Sequence, residues 1–190
     1  MAAAKSLTAL ELERVLAYID TQPLAARNRA MLLVTVAAGL RVSEVAGLTV
    51  GDVLDTTGSV RAEIYLSADR VKHGHARTIY LNTRLQQEIA NYISTKQHKD
   101  LTFPLFNSSR SPRRHFTPNT LAQHFHWLYK NAGVAGASSH SGRKTFLTSL
   151  ASQGVSVFVL AALAGHKSIS TTQRYVTVND EVKRRAVELV

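Results

Sequence analysis

The stretch from His140 to Tyr175 constrains this chain more than any other. It reads His140-Ser141-Gly142-Arg143, then Leu163-Ala164-Gly165-His166-Lys167, then Thr171-Thr172-Gln173-Arg174-Tyr175. Helical segments separate these pieces, so folding back can bring two histidines, an arginine and a tyrosine together. His140 and Arg143 are three apart, which on a helix places both on one face, able to hold one anion. A phenol is a weak nucleophile at its ordinary pKa and needs positive charge around its target. Tyr175 stands in a stretch that supplies some. The same residues also fit a helix-turn-helix in which Tyr175 is a half-buried packing residue.

Charge narrows the choice of partner. Lys and Arg number 23 against 13 acids, a net charge of +10 over 190 residues, so a polyanion is expected and nucleic acid comes first. No run approaches 18 apolar residues and no helix is cationic along one face, which argues against a membrane. Cysteine is absent, excluding disulfides and thiolate chemistry and leaning towards the cytosol. The length suits one domain.

Along the chain, Thr8-Ala9-Leu10-Glu11 is a capping box, and Leu12, Val15, Leu16 and Ile19 follow at helical spacing to about Asp20. Arg27 to Ala38 is an apolar core helix closed by Gly39. It delivers the chain to Arg41-Val42-Ser43-Glu44, where Glu44 can pair with Arg41, or with an imidazole, if the segment is helical. An exposed i,i+3 pair is the alternative, but a charge directly after a buried helix is costly without a partner. Ile64 and Leu66, then Ile79 and Leu81, alternate on either side of Lys72-His73-Gly74-His75, a hairpin with Lys72 near its tip. Lys72 is either a solvated turn lysine or a proton donor lowered in pKa by arginines. With His73, His75 and Arg77 it can also form a phosphate-facing patch.

Leu85, Ile89 and Ile93 mark a helix from Thr83 to about Lys96. A loop with Arg110, Arg113 and Arg114 follows, offering DNA-backbone contacts or plain solubilising charge. Thr117 caps a helix with Pro118 at its first position, running to Lys130 with Leu121, Phe125 and Leu128 inward. His124 and His126 diverge on it, so a metal site is rejected. Ser138 or Ser139 caps the helix carrying His140 and Arg143, which ends near Gly154. Ser156 starts the next, with Val157, Val159, Leu160 and Leu163 in the core. Ser170 to Gln173 is a second capping box opening a short helix that bears Tyr175. Asn179 caps a last helix whose Val182, Ala186, Val187 and Leu189 need a partner.

With Arg41, Lys72, His140, Arg143, His166 and Tyr175 in that order, the chain resembles the catalytic domain of the tyrosine recombinases, the phage-integrase family, from about Ser6 to Tyr175. The resemblance implies a mainly α fold with a small antiparallel sheet. It also implies attack of Tyr175 on a DNA phosphodiester, leaving a 3′-phosphotyrosyl link and a free 5′ hydroxyl, with no metal or nucleotide cofactor. Arg41 and Arg143 would hold the phosphate, and Lys72 would protonate the leaving oxygen. His140 would assist Tyr175 or bond the phosphate, His166 would donate to a non-bridging oxygen, and Glu44 would orient the site. Lys144, Lys167, Arg77 and Arg113 are the expected DNA contacts. Two departures stand out, Gly142 where the family often has leucine and Lys144 where it often has histidine. Residues 1–190 would form one catalytic domain without the family's N-terminal DNA-clamping domain. That fits either a domain of a longer protein or the short recombinases of fimbrial phase variation. Double-stranded DNA, on which dimers or tetramers assemble, is the implied partner in a cytoplasmic, nucleoid-associated setting. The helix 179–190 would be exchanged between protomers. A topoisomerase relaxing supercoils and a non-catalytic DNA-binding module are the alternatives.

Overall fold

The structure, a computed structural model, describes residues 4–70, 76–97, 100–108, 111, 113–176 and 180–188. Thr8 Oγ1 accepts from the Glu11 N–H and Glu11 Oε2 from the Thr8 N–H, so α1 (Ala9–Asp20) begins where the capping box places it. Helix α2 (Ala25–Ala37) follows, with Ala30, Met31, Leu32 and Val34 fully buried. The chain then turns at Gly39 into the short helices α3 (Val42–Gly47) and α4 (Val50–Val53).

Strands β1 (Glu63–Leu66) and β2 (Arg77–Tyr80) pair antiparallel with Ile64 opposite Ile79. The expected alternation holds: Ile64, Leu66, Ile79 and Leu81 face the core, while Tyr65 and Tyr80 face solvent. The hairpin tip with Lys72, His73 and His75 lies outside the described residues.

Helix α5 (Thr83–Ser94) starts on the Asn82 cap, and α6 (Pro118–Asn131) on the Thr117 cap. Against α2 pack α1, α5 and α7 (Ser141–Ser152), while α6 rests on α1 and α3. A separate apolar cluster, Leu147, Ala151, Leu160 and Ala164, joins α7 to α8 (Val157–Ala164) and takes in Tyr175. Helices α9 (Ile169–Gln173) and α10 (Asp180–Val187) complete the chain. Among the described residues no helix is long and apolar enough to cross a membrane.

Three local expectations need correcting. Helix α7 begins at Ser141, so His140 is its cap residue and lies exposed; Ser138 instead bonds around the turn, its Oγ accepting from the His140 N–H. Helix α9 begins at Ile169 and ends at Gln173, leaving Tyr175 just beyond it, and at its start the Ser168 and Ser170 hydroxyls bond each other rather than form the expected capping box. In α8, Leu160 is fully buried, but Val159 is about half exposed beside an outward Phe158. A helix this apolar gives its inward face no periodic signature.

Candidate active site

The C-terminus of α8 is the organising element. Gly165, at φ +60°, ends the helix, and the His166 N–H turns back to Ala161 O. This leaves three successive carbonyls without helical donors, and each takes a guanidinium from a different part of the chain. Arg77 Nη1 donates to Leu163 O, Arg143 Nη2 to Ala164 O at 2.6 Å, and Arg41 Nη2 to Gly165 O at 3.2 Å. The negative end of the helix dipole favours the same charges.

Glycines make these approaches possible. A Cβ on Gly165 would lie 2.7 Å from Arg77 Cδ. Gly39, at φ +67°, turns its carbonyl to Arg143 Nη1 at 2.6 Å, and a Cβ there would strike the Phe146 ring at 2.4 Å. Both positions demand a left-handed backbone and leave no room for a side chain. Gly142 answers to packing instead: its Cβ would meet Thr35 Oγ1 at 2.0 Å, so the departure from leucine lets α7 lie close on α2.

Glu44 binds two of the arginines. Its Oε1 accepts from Arg41 Nη1 at 2.9 Å, and its Oε2 from the Arg41 N–H at 2.7 Å and from Arg77 Nη2 at 2.6 Å. The carboxylate is fully buried, so the expected pair is no surface contact, and its partners are arginines rather than an imidazole. Burial alone would raise its pKa, but Arg77 and the two Arg41 donors outweigh this and hold it below the usual carboxylate range. Burial, then Arg41 and Arg77, push Arg143 down to about 9, still cationic at neutral pH. Three guanidiniums against one carboxylate leave the cluster positive. Arg41 and Arg143 also retain N–H groups that no protein acceptor takes up among the described residues, the requirement for an oxyanion site.

His166 completes the cluster. Its Nε2 lies 3.1 Å from Arg143 Nη2 and its Nδ1 2.8 Å from Thr172 Oγ1. Burial first, then Arg143, Arg41 and Arg77, push its pKa down to about 4, so the ring is neutral at pH 7. The Tyr175 ring lies nearly parallel to it, centroids 6.0 Å apart. A cleft of about 450 Å³ opens beside them, lined by Ala76, Arg77, Ala161, Ala162, Gly165, His166 and Lys167.

The structure thus brings Arg41, Glu44, Arg143, His166 and Tyr175 together. His140 is exposed at the start of α7, and its imidazole makes no hydrogen bond among the described residues. Arg77 is buried under the site, not displayed on a DNA-facing patch, because Glu44 and the Leu163 carbonyl draw it inward. Lys144 reaches back to Ala4 O at 2.7 Å, tying down the N-terminal segment. Lys167 is exposed at the cleft. Arg113 is exposed on the loop before α6, its guanidinium 5.2 Å over the Phe103 ring. Lys72 and Arg110 lie outside the described residues. Among those described, no group of three or more His, Asp or Glu is placed to hold a metal ion, and His124 instead bonds Asn28 Oδ1 at 3.1 Å.

Among the described residues the domain is mainly helical with a two-stranded antiparallel sheet, and at the end of α8 it gathers two part-free guanidiniums, an imidazole and a phenol. The sequence model of the phage integrase family matches residues 5–182, and the chain belongs to that family. It is similar to the tyrosine recombinase XerA of Pyrococcus furiosus, 29% identical over 184 residues that cover 97% of this chain and 61% of that protein. It is also similar to the tyrosine recombinase XerC of Pelobacter propionicus, 32% identical over 155 residues, covering 80% and 48%. The chain therefore spans about half to three-fifths of these curated relatives. The fold matches the crystal structure of XerA recombinase, with a TM-score of 0.76 at 23% identity, over 100% of this chain and 66% of that one. It matches the Tn1549 transposon integrase in complex with transposon right end DNA at 0.80 and 22%, over 100% and 67%.

Proposed function

We propose that this chain is the catalytic domain of a site-specific DNA recombinase acting through a phosphotyrosyl intermediate. The observation that carries this reading is the convergence of Arg41, Arg143 and His166 at the end of α8 with the Tyr175 ring stacked beside them. Double-stranded DNA is the substrate, consistent with the net charge of +10 and with the DNA complexes of the Tn1549 integrase.

Arg41 and Arg143 hold the non-bridging oxygens and stabilise the charge that grows on them, a role in which losing one donor costs ~10²–10³ in rate. The Tyr175 phenol gives up its proton and its oxygen bonds phosphorus while the bond to the 5′ oxygen breaks. Lys72 supplies the proton to that oxygen by family resemblance. Attack by another strand's 5′ hydroxyl reverses the exchange. His140 bonds the phosphate or takes the Tyr175 proton from its place at the start of α7. Lys167, Lys144 and Arg113 make backbone contacts, with Lys144 exchanging Ala4 for DNA.

Assembly follows the same reading. Ala186 and Val187 on α10 are exposed, and α8 displays Phe158 and Val159, so the tail docks on a neighbouring protomer on DNA. Deleting residues after Val178 abolishes cooperative assembly and spares single-site cleavage; unchanged assembly refutes the exchange.

Products test the function. A site selected from random duplexes by binding is placed twice in one plasmid. Two product circles that require Tyr175 support the recombinase, relaxed circles alone point to a topoisomerase, and unchanged DNA with salt-sensitive complexes points to a binding module.

A further inference from the structure

Thr172 has no part in the roles assigned above, yet it is fully buried and its hydroxyl meets the His166 ring. An arginine side chain donates and never accepts. The 3.1 Å contact from Arg143 Nη2 therefore makes Nε2 of a neutral His166 the acceptor. The ring proton then sits on Nδ1 and is donated to Thr172 Oγ1 at 2.8 Å. In this state His166 cannot give a hydrogen bond to a phosphate through Nε2.

Protonating the ring to make both nitrogens donors is opposed by its surroundings. Arg143, Arg41 and Arg77 all act on it, and the Glu44 carboxylate is already bound to Arg41 and Arg77. A change of tautomer avoids that cost. A hydroxyl both donates and accepts and can rotate, so Thr172 can serve either nitrogen state where a methyl could not.

We propose that Thr172 is a positioning residue that switches the His166 tautomer when a phosphodiester enters, an inference resting on the recombinase reading. As Arg143 Nη2 turns its proton from His166 to a phosphate oxygen, Nδ1 loses its proton to water and Nε2 takes one from water. The Thr172 hydroxyl rotates to donate to the bared Nδ1, and the Nε2–H then points to the phosphate. Net protonation is unchanged. The empty site is thereby held in a non-donating state, and the loaded site acquires a third donor.

Two readouts test this. Ring ¹⁵N spectra of His166 should show the Nδ1–H tautomer in the free protein and the Nε2–H tautomer when Tyr175→Phe is bound to duplex DNA. The same tautomer in both states overturns the switch. In single-turnover cleavage, Thr172→Val should slow covalent adduct formation about tenfold or more, and Thr172→Ser should recover most of it. Adding Thr172→Val to His166→Ala should cost nothing further; an additive loss assigns Thr172 a general packing role and overturns the proposal. If wild type forms no adduct, the recombinase reading fails, and the tautomers with and without DNA still decide the switch.

Discussion

Replacing Glu44 by glutamine removes one charge and little volume, and its cost follows from the contacts. The carboxylate receives three hydrogen bonds, two from Arg41 and one from Arg77. Arg77 is only 8% exposed, and its Nε has no partner among the described residues. Glutamine can still accept at one oxygen, but it leaves Arg77 as a buried cation without a counter-charge. Breaking such a pair costs ~3–5 kcal/mol, and the retained acceptor puts Glu44→Gln near ~3. For a domain of this size that is a fall in Tm of roughly 6–12 °C. Converting the stranded cation as well, in Glu44→Gln/Arg77→Met, should restore about half, since apolar replacements of buried pairs are often neutral. The effect has a pH signature. The lowered pKa of Glu44 stabilises the fold fully above the unfolded value of 4.5 and is lost as pH falls through the folded value, so variant and wild type converge in acid. Urea unfolding at pH 7 and pH 3.5 reads all of this. A loss under about 1 kcal/mol at pH 7, or a double variant worse than the single, would show that Arg77 does not depend on Glu44 as a counter-charge.

Two further outcomes follow from packing and titration. Gly142→Ala should destabilise by ~1–3 kcal/mol although alanine is the better helix former, because its Cβ would sit 2.8 Å from Thr35 Cβ; a neutral or raised Tm contradicts the tight contact. His124 and His166 are both held at about 4, by burial first and neighbouring arginines second. The unfolded chain therefore takes up protons near 6.5 that the folded one refuses, and stability drops as pH falls from 6.5 to 4. His124→Gln should remove ~1–2 kcal/mol of that drop after allowing for partial solvation, and an unchanged pH profile would argue against a buried neutral ring.

Local chemistry was the legible part of the chain. The caps at Thr8, Thr117 and Ser156 and the alternation around Ile64 and Ile79 are signals carried within a few residues, and they mark the elements correctly. Arg41, Arg143 and His166 stand out in motifs that carry a glycine, whereas Glu44 and Tyr175 stand out by their spacing from such motifs and by the family resemblance. What failed was distal. Arg77 reads as one more basic residue near a hairpin tip, since its partners Glu44 and Leu163 are far away in sequence. Thr172 reads as part of a cap, because nothing local distinguishes a hydroxyl that faces an imidazole. Val159 reads as core because α8 is apolar on every side, and its inward face is set by the elements it packs on, α7, α9 and β2. The Gly142 departure became intelligible only with Thr35 opposite it.

The most direct measurement is covalent trapping on a nicked duplex carrying the selected site, without divalent metal, followed by denaturation. Wild type should give a slower protein band, Tyr175→Phe none, and Arg143→Ala a band reduced at least about 10²-fold in initial rate. A band that persists in Tyr175→Phe, or no band from wild type on a site it binds tightly, would contradict the central claim.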